Sequence, residues 1–197
     1  MAKIEVLVEG TARQSHDGLW VANSSCTLIR EAGRLILVDP GQDPAPLLRA
    51  LKTRGIEPAR INFIFLTHHH LDHIVNIRLF PKADVAMGDL LASGEKSGII
   101  SNLLPGTRIR LLPTPGHCDE HWSLITTTED QTRVAIAGDA FWWLDGQQQL
   151  LDRNSLVNLD DPTGRDVVRL RDSRKLLLEN ADYIIPGHGS GFQVPRR

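Results

Sequence analysis

Residues 67–73 read Thr-His-His-His-Leu-Asp-His, and no other stretch restricts the fold of this chain as tightly. His68, His70, Asp72 and His73 crowd into a loop-sized segment. The apolar run before it, residues 61–66, reads as a buried β-strand delivering that loop. Imidazole and carboxylate are the side chains that hold Zn2+ and similar ions at neutral pH. Three histidines and an aspartate at a strand end are costly to bury without a cation between them. The segment therefore predicts a metal-dependent enzyme.

Similar residues recur at similar places. Of eight histidines, six fall in 68–73 and 117–121, and a seventh sits in Pro186-Gly187-His188-Gly189. Side-chain patterning predicts strands over 3–8, 25–30, 34–38, 61–66, 83–87, 108–112, 122–127, 132–137 and 183–185. It predicts helices over 45–54, 74–80 and 165–179, with 10–24, 88–107 and 140–164 as unpatterned connections in which substrate selection would lie. His68, His70, Asp72, His73, His117, Asp139 and His188 each closely follow a predicted strand, so one rim of a sandwich can gather them. Seven ligands exceed one tetrahedral ion and suit two ions sharing a bridge. The grouping suggests two sheets sandwiched by helices, in a single domain over residues 1–197.

Composition bounds the partners. A net charge of -2 gives no global case for nucleic acid or an anionic membrane. Glu5 and Glu9 interrupt any signal-peptide core, and no run approaches a membrane-spanning length. Cys26 and Cys118 are too few for a disulfide framework, so the cytoplasm is the expected location.

Five motifs occur in one order: Val38-Asp39-Pro40-Gly41, the stretch from His68 to His73, Thr114-Pro115-Gly116-His117, Gly138-Asp139-Ala140, and Pro186-Gly187-His188-Gly189. On these the chain resembles the metallo-β-lactamase superfamily. The run Asn76-Ile77-Arg78-Leu79-Phe80-Pro81 and the tail with Phe192 resemble the branch of metallo-β-lactamase domain-containing protein 1 and its short prokaryotic relatives. The resemblance implies an α/β, four-layer αββα sandwich. It implies one ion on His68, His70 and His117, another on Asp72, His73 and His188, and Asp139 bridging them. Two Zn2+ ions are expected, with Mn2+ or Fe2+ as substitutes, and a water or hydroxide between them as nucleophile. Asp72 is the expected catalytic carboxylate, orienting that nucleophile or shuttling its proton. Asp39 is expected to fix the tautomer of a ligand histidine. Where the family carries small residues, this chain has Cys118 and Glu120.

The leading expectation is hydrolysis of a small ester or short phosphodiester; lactonase and RNA nuclease activity fall within it, though the charge does not favour RNA. Two readings compete: a mononuclear iron persulfide dioxygenase of the same fold, and a non-catalytic, metal-stabilised binding module. With nine residues after His188, the helical substrate domain of glyoxalase-type thioesterases is not expected, and Asp139 stands where some zinc β-lactamases carry cysteine. Homodimerisation through the Trp142-Trp143 stretch is a further expectation. His69 and His121 are expected to support rather than bind metal, His16 to lie on the surface, and Cys118 to be a small buried thiol. Trp142 and Trp143 fit a core or a site mouth equally, and Arg165, Arg169, Arg171, Arg174 and Lys175 read as a solvated helix face.

Overall fold

Alternation along short strands fixes the layers. In the computed structural model, which describes residues 1–196, one sheet runs in the order β1 (Lys3–Val8), β4 (Cys26–Glu31), β5 (Arg34–Val38), β6 (Phe63–Leu66), β7 (Asp84–Met87), β8 (Leu90–Ser93) and β9 (Lys96–Ile99). The other runs β10 (Arg110–Pro113), β11 (Trp122–Thr127), β12 (Arg133–Trp142), β13 (Tyr183–His188) and β14 (Phe192–Gln193). A separate hairpin pairs β2 (Thr11–Gln14) with β3 (Trp20–Asn23).

Successive strand residues point to opposite faces. Ile36, Phe63 and Phe65 of the first sheet meet Leu124, Val134, Ile136 and Ile185 of the second in one core between the sheets. Their neighbours Leu37 and Ile64 face the other way, onto Leu47 and Leu51 of α1 (Pro44–Thr53). Ala135 and Ile184 likewise face Leu156 of α3 (Arg153–Val157) and Leu170 and Leu177 of α4 (Val167–Asn180). These strands are apolar on both faces because both faces are covered. The result is the expected αββα sandwich.

Parallel pairing places the strand ends. β5 pairs with β6, and β12 with β13, in parallel. Each such pair needs a crossover, supplied by α1 in the first case and by α3 and α4 in the second. The Asp43 carboxylate caps α1 at the Ala45 N–H, and Asp166 caps α4 at the Val168 and Arg169 N–H groups. The crossovers bring the C-terminal ends of β5, β6, β12 and β13 to one rim, the end of open α/β sheets at which ligands bind.

Several expectations need correction. Residues 10–24 are a β-hairpin, closed by a turn with Gly18 at φ 81°, rather than a loop. Residues 88–107 carry the edge pair β8–β9. β12 runs on to Trp142, and the 140–164 connection contains α3. The helix expected over 74–80 is α2 (Leu71–Ile74) followed by a 3-10 turn over Val75–Leu79. The short β14 follows the strand expected to be last.

Candidate metal centre

β5 and β6 end side by side, and Asp39 ties the two ends together. Its φ of 50° is left-handed, a conformation aspartate tolerates better than most residues. Asp39 accepts from the Thr67 backbone N–H at 2.8 Å and from the Thr67 hydroxyl at 2.7 Å. The same carboxylate lies 2.9 Å from His73 Nδ1.

These contacts set tautomers. The Thr67 hydroxyl spends its proton on Asp39, so its oxygen, 3.0 Å from His68 Nδ1, accepts there. Asp39 holds the proton on Nδ1 of His73, and Asp161, at 2.8 Å, holds it on Nδ1 of His117. His188 Nδ1 donates to the Thr11 carbonyl at 3.1 Å. All four rings thus aim Nε2 inward, where a cation would meet its lone pair, on His73 and His188 in exchange for a proton.

The inward atoms form two groups. His70 Nδ1 lies 3.0 Å from both His68 Nε2 and His117 Nε2. The Asp139 Oδ2 oxygen is 3.4 Å from His117 Nε2 and 3.7 Å from His68 Nε2. The Asp139 Oδ1 oxygen faces the other way, 3.3 Å from His73 Nε2 and 3.6 Å from His188 Nε2. Asp72 Oδ2 joins that second group at 3.2 Å from His188 Nε2. Each group has its ligand-type atoms within 4.8 Å of one another, as atoms around one cation are. Asp139 presents one oxygen to each. All seven candidate ligands therefore meet.

The site also fits a cation by what it leaves unpaired. His73 Nε2 and Asp139 Oδ1 are buried and make no hydrogen bond. Such orphans are rare and need an explanation. Gly187 makes the approach possible: a Cβ there would stand 1.8 Å from Asp139 Oδ1. Gly116, at φ 133°, lets the His117 loop lie against α4, because a Cβ would sit 2.3 Å from the Leu170 nitrogen.

Charge separates the two groups. Burial holds His68 well below the usual imidazole range and also lowers His70. Burial opposes charge on His73 as well, but Asp139 and Asp39 outweigh it and raise His73 well above that range. His188 follows the same balance and rises to about 9 beside Asp139 and Asp72. Asp139 stays ionised because His73 and His188 outweigh its burial. Protons on the second group are what a cation would displace.

The remaining residues sort cleanly. His69 is exposed, and so is His16. His121 is buried with Nδ1 at 2.9 Å from the Thr114 hydroxyl, and burial pushes it down to about 3. Cys118 is buried, its thiol pushed up to about 12 by burial and then by Glu120, which disfavours a thiolate. Trp142 lines a cavity of about 390 Å3 over the site, whereas Trp143 packs on Phe192 in the core. Arg174 corrects the solvated-face reading: it is 1% exposed and donates to the carbonyls of Ala140, Val157 and Leu159. Sequence reasoning missed Asp161, which sits in an unpatterned segment 44 residues from the histidine it orients.

A family model described as the metallo-beta-lactamase superfamily matches residues 19–88. The chain is 31% identical over 200 residues to metallo-beta-lactamase domain-containing protein 1 of Xenopus laevis, covering 97% of this chain and 81% of that protein. For the Mus musculus protein of that name the figures are 34% over 203 residues, 97% and 74%. A solved Thermotoga maritima structure assigned to the metallo-beta-lactamases is 22% identical, with a TM-score of 0.69, over 98% of this chain and 99% of that one. AidC, a dizinc quorum-quenching lactonase, is 17% identical with a TM-score of 0.64, over 86% of this chain and 74% of its own. TTHA1623, solved in a di-iron-bound form, is 22% identical with a TM-score of 0.60, over 87% of this chain and 90% of its own. The solved structures share the fold.

Proposed function

The chain belongs to the metallo-β-lactamase superfamily of metallo-hydrolases, and on that premise we propose that it cleaves an ester or phosphodiester bond at a dinuclear centre whose resident metal is zinc. The observation that carries this reading is the Asp139 carboxylate, one oxygen turned to each ligand group. His68, His70 and His117 would hold one ion and Asp72, His73 and His188 the other, with Asp139 shared. Two divalent ions, when bound, supply Lewis acidity that polarises a substrate oxygen and lowers the pKa of water towards about 7.

The chain's own residues do the rest. Asp39, Thr67, Asp161 and the Thr11 carbonyl hold the imidazoles in one tautomer, so no ring need turn when a cation arrives. Asp72 lines the cavity. Its carboxylate stays ionised because the His188 hydrogen bond and the His73 charge outweigh burial. Asp72 orients the attacking water, takes its proton as oxygen closes on carbon or phosphorus, and returns that proton to the leaving oxygen.

A mononuclear iron dioxygenase would use one group only and leave Asp72, His73 and His188 gathered within 4.8 Å of one another with no ion between them. The dinuclear reading gives that second group its role. Small esters and short phosphodiesters suit the cavity of about 390 Å3 better than a long nucleic acid, and the net charge of -2 agrees. Among the described residues no helix is long and apolar enough to cross a membrane.

The test is a stepwise titration of metal-free protein with Zn2+ or Mn2+, following bis(4-nitrophenyl) phosphate and 4-nitrophenyl acetate. Hydrolysis should rise with the second equivalent, and Asp139→Asn should lower it on the order of a hundredfold or more with the fold intact by circular dichroism. Full turnover at one equivalent, or no turnover of either ester, would count against the proposal.

A further inference from the structure

The cavity over the metal centre has two unlike walls. We propose that they select an amphipathic anion: an ester with an aromatic or alkyl group on one side of the scissile bond and a non-reacting anionic group on the other, read by Arg165. This rests on the hydrolase reading above.

One wall is apolar and built in advance. Trp20 of β3 and Trp142 at the end of β12 meet edge to face, ring centroids 6.0 Å apart. Trp142 in turn stands 6.1 Å from the His188 ring, so the aromatic wall adjoins the second ligand group. Ala12, Ala22 and Leu71 extend it. Trp20 remains 46% exposed and Leu71 66% exposed, large apolar surfaces left open at a cavity mouth. The β2–β3 hairpin that carries Trp20 is pinned, not loose. Ala12 exchanges hydrogen bonds with Asp145, Gly189 N–H donates to the Gly10 carbonyl, and Ser24 N–H donates to the Asp72 carbonyl. An aromatic or alkyl group placed there displaces water without reordering the chain.

The other wall is polar and carries one guanidinium. Arg165 lines the cavity beside Thr163. Its backbone N–H donates to the carbonyls of Gly116 and His117, at 2.9 and 3.2 Å, which fixes the base of the side chain against a ligand loop. Thr163 is held by Asp161, the same carboxylate that orients His117. Nearby cations are committed elsewhere: Arg169 to Asp119, Lys175 to Asp172, and Arg174 to buried carbonyls. Among the described residues the Arg165 side chain makes no hydrogen bond or ion pair, so its planar fork of donors is free for a carboxylate or a phosphate. A neutral substrate would give this cation no partner. A nucleic-acid strand needs a succession of cations along its backbone, and among the described residues this lining carries only the Arg165 guanidinium.

The test uses metal-loaded protein and two ligand pairs matched in chain length. Mono-(4-nitrophenyl) adipate and 4-nitrophenyl hexanoate differ in one terminal carboxylate and report kcat/KM. The corresponding 4-nitroanilides report binding through quenching of tryptophan fluorescence, whether or not the esters are hydrolysed. The wild-type protein should favour the anionic member by about tenfold in both measurements. In Arg165→Gln the anionic-to-neutral ratio should fall to about one, whereas Trp20→Ala should weaken both members and keep the ratio. A preference that survives in Arg165→Gln, or is absent from the wild type, overturns the proposal; the surviving case would mean that the carboxylate goes to the metals. If the anilides show the Arg165-dependent preference and no ester turns over, the pocket assignment stands and the hydrolase reading falls. If esters turn over with no such preference, the reverse holds. A phosphonate in place of the carboxylate tells which anion gains more from Arg165.

Discussion

At the residue scale, the site is defined by what lies behind each imidazole. Asp39, Thr67, Asp161 and the Thr11 carbonyl each occupy an Nδ1, leaving the Nε2 atoms to converge. Such supports contribute roughly ten- to a hundredfold to metal affinity. Asp161→Ala should therefore weaken binding of the ion on His68, His70 and His117 by that factor. Competition with a chromophoric chelator would show it, and equal affinity in wild type and variant would contradict the role given to Asp161. The seven ligand-type residues and Asp39 were legible in the sequence because each sits in a short motif at a strand end. Asp161 was not: its turn carries no pattern, and its partner is distant along the chain.

At the element scale, the crossovers between parallel strands decide where strands end. The strand interiors announced themselves by apolar runs, and α1 and α4 by their spacing and caps. The hairpins β2–β3 and β8–β9 did not, since their strands are four residues long and largely exposed, with little apolar alternation to see. Arg174 shows the opposite failure. It lies four residues after Leu170 and three before Leu177, both buried, so its spacing marked the inner face of α4 and its charge concealed it. There it joins α4 to the end of β12 and to the chain after α3. Arg174→Met should leave those carbonyls without their donor and lower stability by about 3 kcal/mol. A fall in the urea midpoint with an unchanged slope would show this; an unchanged midpoint would contradict it.

At the scale of the whole molecule, the sandwich does one thing for function: it directs the C-terminal ends of strands from both sheets to one rim. The grouping of apolar strands with helices between them was enough to foresee two sheets sandwiched by helices, but which residues face inward (Ile36, Phe63, Val134, Ile185) and which outward (Leu37, Ile64, Ala135, Ile184) was not, because both faces are apolar. The cavity was not foreseeable in the same way, because Ala12, Trp20, Trp142 and Arg165 come from segments with no shared pattern. The central claim is that this rim holds two ions, not one. The most direct measurement is metal content per chain by plasma mass spectrometry, on protein purified without chelators or metal-affinity resin. The account predicts close to two ions per chain, zinc foremost. A single iron per chain, with no uptake of a second ion on titration, would contradict it.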